Sequence, residues 1–207
     1  MNQSKFKQFL PSKEVTFTDL MRRWTKPLID PIVTFLARYR LSPDALTIAG
    51  MVSHFLFAWL IGIGQMQIAA FAIFFIAPLD ALDGALARKL GRKQDGFGAF
   101  LDSTLDRFAE IILFGGFIYY FLGQENLLML SLSYISITGS LMVSYSRARA
   151  ESLGFSSKIG VLSRVERYAV MIFFLVLNLP QVAVVILAIF TYITTFQRMY
   201  HVWKQSR

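Results

Sequence analysis

Apolar residues run through this chain in long blocks separated by short polar joints. From residue 44 onward the blocks predict six membrane-spanning helices, over about residues 44–63, 67–90, 97–121, 127–150, 163–178 and 181–203. A hydrocarbon layer about 30 Å thick takes roughly 20 helical residues at 1.5 Å each. Ser42 is placed as the N-cap of the first span, with Pro43 at its first position and Asp44 in its first turn. Ahead of it, residues 14–40 carry aromatics, leucines and cations in a pattern that suits a helix lying on the membrane surface. Pro27 and Pro31 are expected to kink or interrupt that helix. The chain therefore reads as an all-α integral membrane protein with two parts. Residues 1–43 form a cytoplasmic N-terminal segment with an amphipathic juxtamembrane helix, and residues 44–207 form a six-span domain.

Composition supports this class. Of 207 residues 55% are hydrophobic, and the mean hydropathy is +0.51. The first thirty residues lack the apolar core and small-residue site of a cleaved secretory signal. The joints "GIGQMQ", "GQEN" and "NLPQ" hold no Lys or Arg, whereas the N-terminus, the 89–96 and 150–162 loops and the C-terminal tail hold most of the cations. The positive-inside rule then puts both termini and both basic loops in the cytoplasm of a multi-pass cell-membrane protein. The net charge of +8 is explained by this asymmetry and needs no nucleic-acid partner. The absence of cysteine excludes disulfides and thiolate metal sites.

One stretch breaks the apolar pattern: "DALDGALARKLGRKQDGFGAFLDSTLD", residues 80–106. The apolar run "IAAFAIFFIAPL" before it is too short to cross the bilayer, so the second span is expected to continue as one helix through Asp80 and Asp83. Folded about the "GRKQD" loop as a hairpin, the two helices set Asp83 level with Asp102 and Asp80 level with Asp106. Each pair is spaced i,i+3 or i,i+4 and so shares a helix face. Gly84, Ala87 and Gly98 continue the same stripes, and Arg88 extends one toward the cytoplasm. Small residues there allow close backbone approach or leave room for a flat ligand. Four carboxylates at membrane depth are costly unless neutralised. Arg88 and Arg107 could pair with one or two of them. Oxygen-only donors suit Mg²⁺ or Mn²⁺ better, and with two histidines and no cysteine zinc is disfavoured. Such ions near the cytoplasmic interface point to phosphate chemistry, with one carboxylate available as a base. His54 and His201 are read as packing or interfacial residues.

The stretch resembles the signature of the CDP-alcohol phosphotransferase family, D-x2-D-G-x2-A-R-(about 8)-G-x3-D-x3-D. Here it runs Asp80, Asp83, Gly84, Ala87, Arg88, Gly98, Asp102, Asp106, with nine residues between Arg88 and Gly98. The extra residue falls in the loop. The resemblance implies a six-span homodimer that binds a CDP-linked lipid through two divalent ions. An acceptor hydroxyl attacks the phosphorus that carries the lipid, and CMP leaves. It implies Asp80, Asp83, Asp102 and Asp106 as metal ligands, Asp106 also as general base, and Asp83, Gly84, Ala87, Arg88 and Gly98 as the CDP-lipid side.

For the acceptor, "SPDALT", "GAFLDSTLDRFAE", "VSYSRARAESLG" and "RVERY" resemble the phosphatidylinositol phosphate synthases of actinobacteria and their archaeal ether-lipid counterparts. Arg147, Arg149, Arg164, Arg167 and Arg198 gather at the predicted cytoplasmic ends of the last three spans. An acceptor that carries its own phosphate needs such cations, because a guanidinium forms paired bonds to phosphate oxygens. By resemblance, Ser144, Arg147, Arg149, Arg164 and Arg198 line the pocket for inositol 1-phosphate. The expected reaction joins CDP-diacylglycerol or CDP-archaeol to inositol 1-phosphate. Glycerol 3-phosphate as the acceptor is the alternative within the family. A divalent-cation transporter is the alternative outside it, disfavoured because metal transport needs no nucleotide pocket.

Overall fold

The computed structural model describes residues 17–76, 79–91 and 96–207, with the side chains of 17–26, 28 and 79–81 outside the description. Its elements are α1 (Phe17–Arg38), α2 (Pro43–Gly62), α3 (Met66–Ile76), α4 (Leu79–Lys89), α5 (Phe97–Gly123), α6 (Leu127–Ser152), α7 (Arg164–Val176) and α8 (Pro180–Gln205). No strand occurs among the described residues. The all-α expectation holds.

Three helices are long and apolar enough to cross a bilayer among the described residues: α2, α6 and α8. The other helices fall short of that length or apolarity for physical reasons. Over the second predicted span the described residues form α3, of 11 residues, and α4, of 11, and the join at 77–78, through which one continuous helix is expected, lies outside the described residues. Pro78, which lacks an N–H, stands between them in the sequence. Helix α5 has ample length at 27 residues, but Asp102, Asp106, Arg107 and Glu110 occupy its first half. Helix α7 has only 13 residues, about 20 Å of rise. Its exit is a tight turn with Asn178 in the left-handed region, φ 57°. Pro27 and Pro31 lie inside α1, which runs unbroken from Phe17 to Arg38; the expected interruption is absent. Ser42 does occupy the N-cap of α2 with Pro43 next, but its hydroxyl makes no capping bond. Its carbonyl instead accepts from Ala45 N at 3.1 Å.

Two helix pairs form the frame, α2 with α5 and α6 with α8. Within a membrane the hydrophobic effect does not press helices together, so close backbone approach and buried polar bonds must do so. Both pairs show this. A Cβ placed on Gly116 of α5 would stand 2.5 Å from the Ala58 carbonyl oxygen of α2, so the two backbones meet there. Gly139 of α6 likewise leaves room for the Thr191 side chain of α8. Ser136 Oγ donates to the Val184 carbonyl of α8 at 3.1 Å. The core between the pairs is built from Phe57, Ile61, Leu113, Phe117, Met171 and Leu187, all at or near zero exposure.

Among the described residues the two acidic helices of the predicted hairpin share a neighbour. Helix α2 packs on both α4 and α5, whereas α4 and α5 are not among the closely packed pairs. The small residues of the stripes therefore border a space walled on a third side by α2.

Candidate active site

Three helices bring carboxylates to one end of this space. From α4, Asp83 is buried at 4% exposure. Thr47 of α2 donates its hydroxyl to Asp83 Oδ2 at 2.5 Å, and Gly84 N donates to Oδ1. Both oxygens are thereby oriented before any ligand arrives. From α5, Asp102 and Asp106 are half-buried, one turn apart on one face. Asp44, at the first turn of α2, reaches the same place: a Cβ on Gly98 would stand 3.3 Å from Asp44 Oδ1. Gly98 leaves room for a side chain from a neighbouring helix. On α4, the Arg88 guanidinium folds back over Gly84, with Nη1 at 3.4 Å from where a Cβ would stand. Ala87 is half-buried and Arg88 is exposed. The backbone of Asp80 belongs to α4, and its side chain lies outside the described residues.

The opposite wall is cationic. Arg164, the first residue of α7, reaches Asp106 Oδ1 with Nη1 at 2.5 Å. Arg107, expected from the sequence as a partner for these carboxylates, is more distant, its Nη1 4.0 Å from Asp106 Oδ2. It donates instead to the Ser103 carbonyl of its own helix. Behind Asp106, Glu110 is buried at 3% and accepts from Arg167, itself at 1%. The Arg164 guanidinium also lies over the Tyr168 ring, 5.5 Å from its centroid. The Tyr168 hydroxyl meets His54 Nε2 at 2.7 Å, and His54 Nδ1 meets the Gly50 carbonyl at 2.8 Å. The carbonyl requires a proton on Nδ1, so a neutral ring accepts from tyrosine through Nε2. His54 is a packing residue, as the sequence implied.

The remaining arginines have different surroundings. Arg198 is buried at 3%. It donates from Nε to the Ile159 carbonyl at 2.9 Å and from Nη1 to the Val143 carbonyl. It staples the 153–163 loop and α6 onto α8, and Arg147 and Arg167 are among the charges that act on it. Arg147 is exposed and pairs with Glu151 at 2.9 Å. Ser144, one turn before Arg147, is half-buried. Arg149 is exposed and stands about 200° around α6 from Arg147, on the other side of the helix.

The donor set fits a hard divalent ion. Asp83, Asp102 and Asp106 offer oxygen only, and Arg164 supplies a positive charge to Asp106. Among the described residues no three acidic or His side chains close on a single point. The sequence reasoning missed Thr47, Asp44 and Glu110 as participants, and read Arg167 only as one of the cations at the helix ends. Thr47 gave no signal. Asp44 was read only as a helix-start residue. Glu110 extends the stripe Gly98–Asp102–Asp106 by one more turn, and Arg167 repeats Arg164 three residues on, so both were within reach of helical spacing.

The chain belongs to the CDP-alcohol phosphatidyltransferase family, whose profile matches residues 40–197. It is 35% identical over 187 residues to the archaetidylinositol phosphate synthase of Pyrococcus horikoshii, covering 89% of this chain and 96% of that one. Against the phosphatidylinositol phosphate synthase of Cutibacterium acnes the identity is 36% over 149 residues, with 71% of each chain covered. Among solved structures, the phosphatidylinositol phosphate synthase of Mycobacterium tuberculosis with CDP-DAG bound superposes with a TM-score of 0.79 at 29% identity. That match covers 86% of this chain and 94% of the other. The same enzyme in complex with manganese and citrate gives a TM-score of 0.78 at 30% identity, covering 84% of this chain and 88% of that one. The chain is thus an enzyme of the transferase class set in a membrane.

Proposed function

We propose that this protein transfers the phosphatidyl group of a CDP-linked lipid to inositol 1-phosphate, making a phosphatidylinositol phosphate and releasing CMP. One observation carries the reading: Asp106 and Arg164 meet at the boundary between an acidic wall and a cationic one. Such a boundary is what a reaction needs when a diphosphate donor meets an acceptor that brings its own phosphate. The names of the relatives above favour inositol phosphate over glycerol 3-phosphate, and the nucleotide-bound neighbour argues against metal transport.

On this reading, Asp80, Asp83, Asp102 and Asp106 hold two Mg²⁺ or Mn²⁺ ions, which neutralise the diphosphate when bound. Thr47 and Gly84 N keep Asp83 turned toward that site. Gly84, Ala87, Arg88 and Gly98 make the bed for the cytidine and diphosphate, with room kept by the two glycines. Ser144, Arg147, Arg149, Arg164 and Arg198 receive the acceptor, Arg164 and Arg198 from the buried side and Arg147 and Arg149 from the exposed rim. Asp106 takes the proton from the acceptor hydroxyl as its oxygen attacks the lipid-bearing phosphorus. The bond from that phosphorus to the CMP oxygen breaks, and CMP leaves with the electron pair. The two parts of the chain are residues 1–43, whose helix lies on the membrane surface, and residues 44–207. The latter cross the cytoplasmic membrane six times, with α3 and α4 together making one crossing. Both termini and the site face the cytoplasm, and two copies form a homodimer.

The acceptor is tested with purified protein, CDP-diacylglycerol or CDP-archaeol, and Mg²⁺. CMP release is expected with inositol 1-phosphate and not with inositol or glycerol 3-phosphate. Release with glycerol 3-phosphate and none with inositol 1-phosphate would overturn the reading.

A further inference from the structure

Glu110 and Arg167 have no part in the chemistry set out above, yet they are among the most deeply buried side chains of the fold. Arg167 Nη2 donates to Glu110 Oε1 between α5 and α7, and Nη1 donates to the Leu162 carbonyl at 3.3 Å. A buried ion pair is a poor device for stability, because the cost of stripping water from both groups offsets their attraction. Its place one turn beyond Asp106 asks for another reason. Two observations supply one. Glu110 Oε2 is buried and has no hydrogen-bond partner, so the pair keeps an acceptor in reserve. The guanidinium that grips Asp106 also lies close by, with Arg164 Nε 4.0 Å from Glu110 Oε1.

We propose that Glu110, fixed by Arg167, is a positioning residue: a second seat to which Arg164 shifts when substrates load. The shift releases Asp106 for the acceptor's proton and keeps the cation in the site. This rests on the roles given above to Asp106 and Arg164. A guanidinium carries five donors along more than one edge, so Arg164 can hold Glu110 and still present N–H groups to a phosphate. The movement needed is small, since Arg164 already spans the distance between the two carboxylates. The Tyr168 ring beneath it, anchored through its hydroxyl to His54, limits the swing to the plane over that ring.

The test uses the full chain with a CDP-linked lipid, Mg²⁺ and the alcohol that gives the most CMP. Glu110→Gln is expected to lower kcat about tenfold or more, as for loss of a charge-assisted hydrogen bond, with the KM for CDP-lipid unchanged. Because Glu110 acts through Arg164, it should cost nothing further in an Arg164→Gln background. Glu110→Gln also leaves Arg167 buried without its counter-charge and can impair folding. Glu110→Met/Arg167→Met removes both charges together. It is expected to melt at or above the wild-type temperature and to keep the lowered kcat. Additive losses with Arg164→Gln, or wild-type kcat in the double-Met protein, would overturn the proposal. Silence of the wild type toward inositol 1-phosphate overturns the acceptor reading instead. The variants are then compared on the alcohol that is used, so the two ideas fail on different measurements.

Discussion

Thr47 offers the sharpest test of how the acidic site is held. Its hydroxyl has one proton and two acceptors in reach, Asp83 Oδ2 at 2.5 Å and the Pro43 carbonyl at 3.1 Å. The shorter contact is to a charged group, so the proton belongs on the bond to Asp83. Thr47→Val keeps the shape and removes that bond, leaving a buried carboxylate with Gly84 N as its remaining hydrogen-bond donor among the contacts described. Hydrogen bonds to charged groups contribute about 1.5–3 kcal/mol. For a chain of this size that corresponds to a fall of roughly 3–12 °C in melting temperature. The functional effect should be larger. If Asp83 is a metal ligand, Thr47 is the group that orients it, and losing such a partner weakens metal affinity about 10–100-fold. The assay is the Mg²⁺ concentration that gives half-maximal CMP release, measured beside a thermal melt, with Thr47→Ser as the variant that keeps the hydroxyl. Expected are a raised Mg²⁺ requirement in Thr47→Val and near-wild-type behaviour in Thr47→Ser. An unchanged Mg²⁺ requirement and an unchanged melt in Thr47→Val would refute the view that α2 orients the site.

Two further predictions follow from the geometry. Asp106→Asn should abolish CMP release while leaving CDP-lipid binding, measured by calorimetry, largely intact; retained turnover would remove the general-base role. Gly116→Leu should lower the melting temperature by several degrees and depress activity although it touches no substrate. Its side chain must enter the space taken by the Ala58 backbone, and overpacking of this kind costs about 1–3 kcal/mol.

What the sequence made legible was what depends on period. The stripe Asp102–Asp106, the all-helical class and the basic ends of the last helices all follow from residues repeating at helical spacing. What it hid depends on which helices touch. Spacing within residues 80–106 relates α4 to α5 but carries no sign that α2 packs on both and supplies Asp44 and Thr47. Nothing in the spacing of Asp83 and Asp102 distinguishes a shared face across a contact from a shared face across a gap. Arg198 has a similar lesson. Its position at the end of the chain's last helix reads as an open cation, but two of its donors are committed to carbonyls of Ile159 and Val143. Long-range backbone partners have no sequence period.

The meeting of Gly116 with Ala58 lies ten residues, about 15 Å, from Asp106 along the same rod. The register of Asp106 against α2 is therefore tied to a backbone contact within the protein, whatever the thickness or fluidity of the surrounding lipid. Such a joint insulates the chemistry from the membrane it sits in, so one catalytic geometry can serve bilayers of unlike tails.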